Sequence, residues 1–381
     1  MKIALLGFGV VGGGVWELLQ GNPDWDVAYV LTRRTRPELD TRSVTSMEPI
    51  LSDPSVELVV EAMGGVRPAF DFVSAALRAG KHVVTANKAL MAARYDELTA
   101  LARAHNVALR CTGAVGGGIP FLTALERVRR LDRIHSVSGI LNGTTNYILD
   151  RMTRDGGSFD AVLADAQALG YAEADPTADL DGWDIRRKLV LTANIAFGVS
   201  LREMEIPMAG IRNVTADDIQ AFTEAGLVCR MIASAVRENR SVSAVVEPAL
   251  LPLSAPEAAV PRNCNRITLT GERLGEQAFS GEGAGRYPTA LNVLQDCLDI
   301  AAGCRRFYTD RALPCAVDND VLCRPYYVRT GREEAFAGRI AGRLGPGLVT
   351  QPMPVPQLHG LLDRSSFAAA LPQAFFAQHF A

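Results

Sequence analysis

Lys2-Ile3-Ala4-Leu5-Leu6-Gly7-Phe8-Gly9-Val10-Val11-Gly12-Gly13-Gly14-Val15-Trp16-Glu17-Leu18-Leu19 is the stretch whose reading decides the architecture. Its first five residues form a short, mostly apolar run, as expected of a buried parallel strand. The glycines at 7, 9 and 12 follow at once, and Val15, Trp16, Leu18 and Leu19 then supply the apolar face of a helix. A strand, a G-x-G-x-x-G turn and a helix in that order form a dinucleotide cradle. Gly7 permits the tight turn, Gly9 lets backbone amides approach a pyrophosphate, and Gly12 lets helix and strand pack closely. Phe8, Val10 and Val11 complete the turn, and the helix start contributes free N–H groups and the positive end of its dipole.

Further strand-and-helix units extend this pattern. The second strand, Val27-Ala28-Tyr29-Val30-Leu31, ends in Thr32-Arg33-Arg34-Thr35-Arg36. A carboxylate at that point would bind the ribose 2′-hydroxyl of NAD. Arg33 and Arg34 instead suit a 2′-phosphate, which favours NADP over NAD. Val56 to Glu61 reads as a strand, Pro68 to Ala79 as a helix, and His82 to Thr85 as a strand with Asn87-Lys88 at its end. A helix from about Tyr95 to His105, a strand from Val107 to Cys111 and a helix from Pro120 to Arg130 follow. Ligands of open parallel sheets bind at the carboxyl ends of the strands, so Lys88 belongs beside the cofactor. The fold class is α/β: a Rossmann-type dinucleotide-binding domain over about 1–130, completed by a returning helix at 290–302. An α+β substrate and dimerisation domain is expected at 131–289, and a short C-terminal extension at 304–381.

Lysine use singles out two residues. Of 39 basic residues only Lys2, Lys81, Lys88 and Lys188 are lysine. Arginine stays charged, whereas a lysine ammonium can hand over a proton. Lys188 closes an acidic block holding Glu173, Asp175, Asp179, Asp181 and Asp184. Pro176 and Gly182 place the early part in a loop, and a helix beginning near Trp183 makes Asp184 and Lys188 an i,i+4 pair. Such carboxylates suit the ammonium of an amino-acid substrate, and the lysine suits proton transfer. An acid-decorated helix start with an ordinary ion pair is the competing reading. Upstream, Ile134 to Ile140 reads as a strand, and Leu141-Asn142-Gly143-Thr144-Thr145-Asn146-Tyr147 as a small polar segment fit to bind a polar ligand. Asp160 to Gly170 reads as a helix.

The composition excludes several classes. A net charge of -3 with scattered arginines predicts no nucleic-acid or anionic-membrane partner. No stretch is long and apolar enough to span a bilayer, and the N-terminal run reads as strand, turn and helix rather than signal peptide. Seven cysteines without a Cys-x-x-Cys pair fit reduced thiols in a cytoplasm, with Cys111, Cys229 and Cys297 as buried small hydrophobes. No histidine accompanies the acids, so the block is not metal-like.

Together these motifs resemble homoserine dehydrogenase. The matching stretches are Gly7–Val15, Val84-Thr85-Ala86-Asn87-Lys88, Val115-Gly116-Gly117-Gly118-Ile119-Pro120, Gly139 to Tyr147, the Glu173–Lys188 block and Gly281-Glu282-Gly283-Ala284-Gly285. The resemblance implies reversible reduction of aspartate 4-semialdehyde to homoserine by a nicotinamide cofactor, a step of threonine and methionine biosynthesis, in a homodimer or higher homo-oligomer. It also implies that Lys88 and Lys188 flank the reacting carbonyl, with Lys188 the acid/base. Glu173, Asp179 and Asp184 would bind the substrate, and Gly283 would approach the cofactor. A monovalent cation is implied on the backbone carbonyls of Val115, Gly117 and Ile119, although Thr112 stands where the family usually has a glutamate. Two departures keep a changed substrate and a non-catalytic NADP-binding role open: Thr112 itself, and Pro248, Pro252, Pro256 and Pro261 in a region that should hold sheet. In the tail, Tyr326-Tyr327-Val328-Arg329 and a helical Glu333 to Leu344 resemble part of an ACT domain, which makes the extension a degenerate remnant or an oligomerisation arm. Pro352, Pro354 and Pro356 predict an extended stretch.

Overall fold

The computed structural model describes residues 1–305, 307 and 315–380. Residues 306 and 308–314, at the start of the expected extension, lie outside the described residues. Two compact units divide the chain: Met1–Asp132 with Val190–Arg202 and Gly281–Pro314, and Arg133–Leu189 with Glu203–Ser280 and Cys315–Ala381. The helix Trp183–Phe197 carries the chain from the second unit into the first.

The first unit is built on β1 (Lys2–Leu6), β2 (Asp26–Leu31), β3 (Ser43–Val44), β4 (Val56–Glu61), β5 (His82–Thr85) and β6 (Leu109–Arg110). They form a parallel sheet in the order β3-β2-β1-β4-β5-β6. The order reverses between β1 and β4, and the cradle glycines follow β1 at that switch point. Ile3, Leu5, Val30, Leu58, Val60 and Val84 make the sheet's share of the core. The returning helix Arg286–Ala301 adds Val293, Cys297 and Ile300, and each large aliphatic side chain buried there contributes roughly 1.5–3 kcal/mol. It starts four residues before the expected boundary, with Pro288 in its first turn, where a missing N–H breaks no helical bond.

The helix expected from Tyr95 instead spans Lys88–Ala104. Asn87 explains the earlier start, because its side-chain oxygen accepts the Leu90 amide at 3.1 Å and caps the helix. Lys88 is therefore a first-turn residue rather than the end of a strand. The strand expected over Val107 to Cys111 shrinks to the two residues of β6.

The second unit holds β7 (Ile134–Ile140), β8 (Leu227–Glu238), β9 (Ser241–Pro252), β10 (Cys264–Gly271) and β11 (Gly275–Glu282). The tail adds β12 (Ala316–Val317), β13 (Cys323–Arg324), β14 (Tyr326–Arg329), β15 (Ile340–Leu344), β16 (Gly347–Thr350), β17 (Met353–Pro354) and β18 (Phe367–Ala370). The main sheet runs β11-β10-β7-β8-β9-β18-β14-β16-β15, with β12 on β9, while β13 pairs with β17. The prolines do not break this sheet. Pro248 lies inside β9 opposite Met231. Two residues before it, the Val246 N–H points to Pro207 O at 3.0 Å, away from β8. Pro248 shares that side, so its missing N–H costs no bond to β8. Pro252 ends the strand and Pro256 opens a short 3₁₀ turn.

Two more expectations are corrected. The polar segment after β7 opens a helix, Gly143–Asp155, to which the sequence pattern assigned no element. Asn142 caps it, with its side-chain oxygen accepting Thr145 N–H at 2.9 Å. In the tail, the helix expected over Glu333 to Leu344 is a 3₁₀ turn at Glu333–Phe336 followed by β15, and the stretch around Pro354 enters a helix at Val355.

The tail from residue 315 is part of the second unit rather than a separate extension. Its core of Tyr326, Val328, Phe336, Leu348, Val355 and Ala370 packs against Val245 of β9. Arg329 Nε donates to Asp218 at 2.9 Å and the Tyr327 hydroxyl donates to the same carboxylate. Asn213 Nδ2 donates to the Arg364 and Ser366 carbonyls at 2.8 and 2.9 Å.

Glu247 lies in this seam. It is 3% exposed and accepts from Arg324 Nη1 at 3.0 Å and the Tyr326 hydroxyl at 3.2 Å. Burial outweighs both partners and pushes its carboxyl up to about 7. The folded chain thus holds a proton that the unfolded chain releases near pH 4.5. The stability from that proton is complete below about pH 4.5 and is lost as pH rises through about 7. Between about pH 5 and 7.5 the wild-type Tm should fall relative to that of Glu247→Gln. Parallel Tm profiles for the two proteins would contradict this assignment.

Candidate functional site

In the first unit the β1–helix turn is tight for the reasons its glycines suggest. Gly7 has a φ of +97°, and a Cβ on Gly12 would collide with the Gly7 carbonyl oxygen. A Cβ on Gly9 would meet nothing within 4 Å, so the turn faces open space there. Val10 is exposed at the start of the helix Val10–Leu19, and Val11 packs against the core. The first N–H groups of that helix, those of Val10, Val11 and Gly12, lack intrahelical acceptors and suit an anion.

A cavity of about 980 Å³ opens beside this turn. Gly7, Phe8 and Gly9 line one part, Thr32 to Arg36 another, and Ala62, Met63, Gly64 and Phe72 a third. Arg33, Arg34 and Arg36 are exposed, and no acidic side chain belongs to the lining. The Thr32 hydroxyl donates to the Arg34 carbonyl at 2.7 Å and shapes the arginine turn, while the Arg36 guanidinium lies 5.8 Å from the Phe8 ring centre. The residues present therefore fit a dinucleotide, and Arg33, Arg34 and Arg36 belong to the lining. Gly283 lies in the segment between β11 and the helix Arg286–Ala301, packed against Gly117 rather than in the cavity lining.

Glu61 supports the cavity from below and escaped the sequence reading. It is fully buried at the end of β4, and burial raises its carboxyl above the usual range. Its oxygens accept the Thr85 hydroxyl at 2.5 Å, the Met63 amide at 2.7 Å and Asn87 Nδ2 at 3.3 Å. Asn87 also donates to the Gly65 carbonyl at 2.7 Å. One carboxyl thus ties the Ala62-Met63-Gly64 lining to the start of the helix that Lys88 opens. The available signal was an acid ending a strand directly after the apolar run Leu58-Val59-Val60.

Lys88 is half-buried. The other two motif-free lysines are structural: Lys81 donates to the Asp53 and Val56 carbonyls at 2.8 Å each, and Lys2 pairs with Asp53 at 3.9 Å. His82 is structural too, its Nδ1 accepting the Ala108 amide at 2.9 Å.

In the second unit the acidic block is sorted by burial. Lys188 is 6% exposed, and its ammonium donates to Asp184 Oδ2 at 2.8 Å and the Leu141 carbonyl at 2.6 Å. Asn142 spends both amide protons on the block, donating to Asp179 at 2.7 Å and Asp184 at 2.9 Å. Thr144 Oγ1 adds a bond to Asp179 at 3.3 Å. Asp179, Asp184 and Lys188 therefore converge around Asn142, a residue the sequence reading placed in a polar segment but assigned no role. Its signal was an asparagine cap directly before a helix that was not recognised.

The other three acids stand outside this hydrogen-bonded group. Asp175 accepts from the Thr177 amide and hydroxyl and shapes a turn, which lowers its pKa. Asp181 pairs with Arg212. Glu173 is exposed, and the bonds that join Asn142, Asp179, Asp184 and Lys188 do not include it.

The glycine-rich turn after β6 was the expected cation site. Gly116 and Gly117 both have positive φ, and a Cβ on Gly117 would stand 2.8 Å from the Ala284 nitrogen. Two of the three expected carbonyls already have a partner. Asn292 Nδ2 donates to Gly117 O at 2.6 Å and to Ile119 O at 3.2 Å. Thr112 donates its amide to Asp296 at 2.8 Å and brings no charge. This turn does not fit a monovalent cation.

The chain is similar to known proteins over most of its length. Residues 7–112 match the homoserine dehydrogenase NAD binding domain, and residues 120–298 match the homoserine dehydrogenase family. A homoserine dehydrogenase of Pseudomonas aeruginosa is 35% identical over 92% of this chain and 84% of its own length. One from Synechocystis is 40% identical over 79% and 73%. The crystal structure of a homoserine dehydrogenase from Thiobacillus denitrificans superposes with a TM-score of 0.86 at 28% identity, covering 98% of each chain. Two family matches that follow one another along the chain, with relatives this similar over most of it, place it plainly: the chain belongs to the homoserine dehydrogenase family.

Proposed function

We propose that this chain interconverts L-homoserine and aspartate 4-semialdehyde, with NADP preferred over NAD and Lys188 moving the proton. The buried Lys188–Asp184 pair, held among Asn142, Asp179 and Leu141, carries this reading. A nicotinamide cofactor, when bound, accepts or supplies the hydride. In reduction the aldehyde oxygen gathers negative charge and then needs a proton. An ammonium stabilises that oxygen and can deliver the proton, and the reverse step needs a base at the same atom. Asp184 and the Leu141 carbonyl hold the Lys188 ammonium in place, so little reorganisation accompanies the transfer. Asp179, Asp184 and Glu173 are assigned to the substrate's amino group, and Lys88 is assigned as the second ammonium of the reaction.

NADP preference rests on the Arg33-Arg34 turn and on a lining without a carboxylate. The oligomer reading rests on β11, a mostly exposed edge strand with one side unpaired. The free cysteines support a reducing cytoplasmic setting. Among the described residues no helix is long and apolar enough to cross a membrane. A changed substrate loses part of its motivation, because the proline-rich region forms β9 and β10 after all.

Purified protein with homoserine and NADP should show growth of the reduced-nicotinamide absorbance, and aspartate semialdehyde with NADPH its loss. No turnover in either direction, with cofactor bound, would overturn the reading. Lys188→Ala should lower kcat by on the order of a hundredfold or more while cofactor affinity, followed by fluorescence titration, is retained. Near-normal turnover would remove Lys188 from proton transfer. Arg33→Ala and Arg34→Ala should each raise the KM for NADP by about tenfold and leave that for NAD nearly unchanged. Equal effects on both cofactors would count against a 2′-phosphate site.

A further inference from the structure

The Gly116–Ile119 turn departs from what the family implies. Gly117 O and Ile119 O converge on one point, and a primary amide sits there instead of an ion. Asn292 is 7% exposed and stands in the middle of the helix Arg286–Ala301. An amide NH2 carries two N–H donors, and two carbonyl acceptors identify the bonding atom as Nδ2 rather than Oδ1. Gly117 O receives its donor from this amide, and Ile119 O accepts both the amide and the Phe121 N–H at 2.8 Å, as buried carbonyls require.

The charges around the turn agree with a neutral occupant. Thr112 stands where the family usually has a carboxylate, and its hydroxyl donates to the backbone carbonyl of Asn292 at 3.3 Å. The carboxylate that touches the turn, Asp296, is already held by Arg110 Nε at 2.8 Å and by the Thr112 amide. Arg110 also pairs with Asp299 at 2.5 Å. Asp296 thus offers a further cation no uncommitted charge, and the ion would have to approach the positive end of the Asn292 amide dipole. The turn also has little room to open. A Cβ on Gly118 would stand 2.9 Å from Pro288 Cβ, and one on Gly113 3.0 Å from Val293 Cγ2.

We propose that the Asn292 carboxamide takes the place of the monovalent cation in this chain, so that turn geometry, stability and catalysis do not depend on Na⁺ or K⁺. Asn292 acts as a positioning residue for the turn. The catalytic arm of the test rests on the homoserine reading, whereas the thermal arm does not.

Wild-type protein is compared in choline, sodium and potassium chlorides at one ionic strength. Across the three salts its Tm should be unchanged and its kcat/KM for homoserine should agree within about twofold. Asn292→Ala takes the donor from the Gly117 carbonyl and one of two donors from the Ile119 carbonyl, and leaves a space where the carboxamide stood. In choline it should have a lower Tm and roughly tenfold lower kcat/KM, and NaCl or KCl should restore both with a saturable dependence. Asn292→Leu fills the space without a donor and should lose both properties in every salt. A saturable rise in wild-type Tm or activity with Na⁺ or K⁺ over choline would overturn the proposal. So would an Asn292→Ala protein equal to wild type in choline, or equal rescue of the alanine and leucine variants. If homoserine is not a substrate, the Tm comparison still tests the turn.

Discussion

A lysine ammonium taken out of water must be met by acceptors, and the carboxylates that meet it must themselves be met by donors. That constraint organises the second unit. Lys188 is held by Asp184 and by the Leu141 carbonyl at the end of β7. Asp184 and Asp179 share the two amide protons of Asn142, which also caps the helix Gly143–Asp155. The end of one strand, the start of one helix and the start of another are thereby set by one chain of charge and hydrogen bond. A carboxylate cluster that would repel itself in isolation becomes a pre-arranged polar site.

The first unit follows the same logic with different atoms. Its cradle needs a close approach of backbone to backbone, which Gly7 and Gly12 allow. Beside the cavity a buried carboxyl, Glu61, takes donors from Met63 on one segment and from Thr85 and Asn87 on another, and so fixes the lining. At the Gly116–Ile119 turn a neutral amide does the equivalent work. In each case a buried polar group holds together segments distant in sequence, because leaving any of these groups unpaired would cost more than the bonds gain.

Legibility varied with the range of the interaction. The strands at 2–6, 56–61 and 134–140, the cradle and the Asp184–Lys188 pair were all readable, since each depends on neighbours within a few residues. The helix at Gly143 was missed because glycine and two threonines have weak helical preference, and only the Asn142 cap and its packing overrule that. The prolines at 248–261 misled for the opposite reason. Whether a proline disrupts a strand depends on which side carries the ladder, and the sheet order settles that. The tail read as an appendage because β18, which joins it to the sheet, finds its partner β9 more than a hundred residues away.

The sequence by itself determined the dinucleotide cradle, the arginine-ended second strand, the scarcity of lysine and the residues that carry the family likeness. These are properties of local spacing and composition. Tertiary structure decided which charges are answered and by what. It separated Asp179 and Asp184, bound through Asn142, from Asp175, Asp181 and Glu173. It brought the Asn292 amide to carbonyls some 170 residues earlier, at sequence separations of 175 and 173. The physical reason is that a buried donor or acceptor needs a partner at about 3 Å, and only the folded chain specifies which residue stands at that distance.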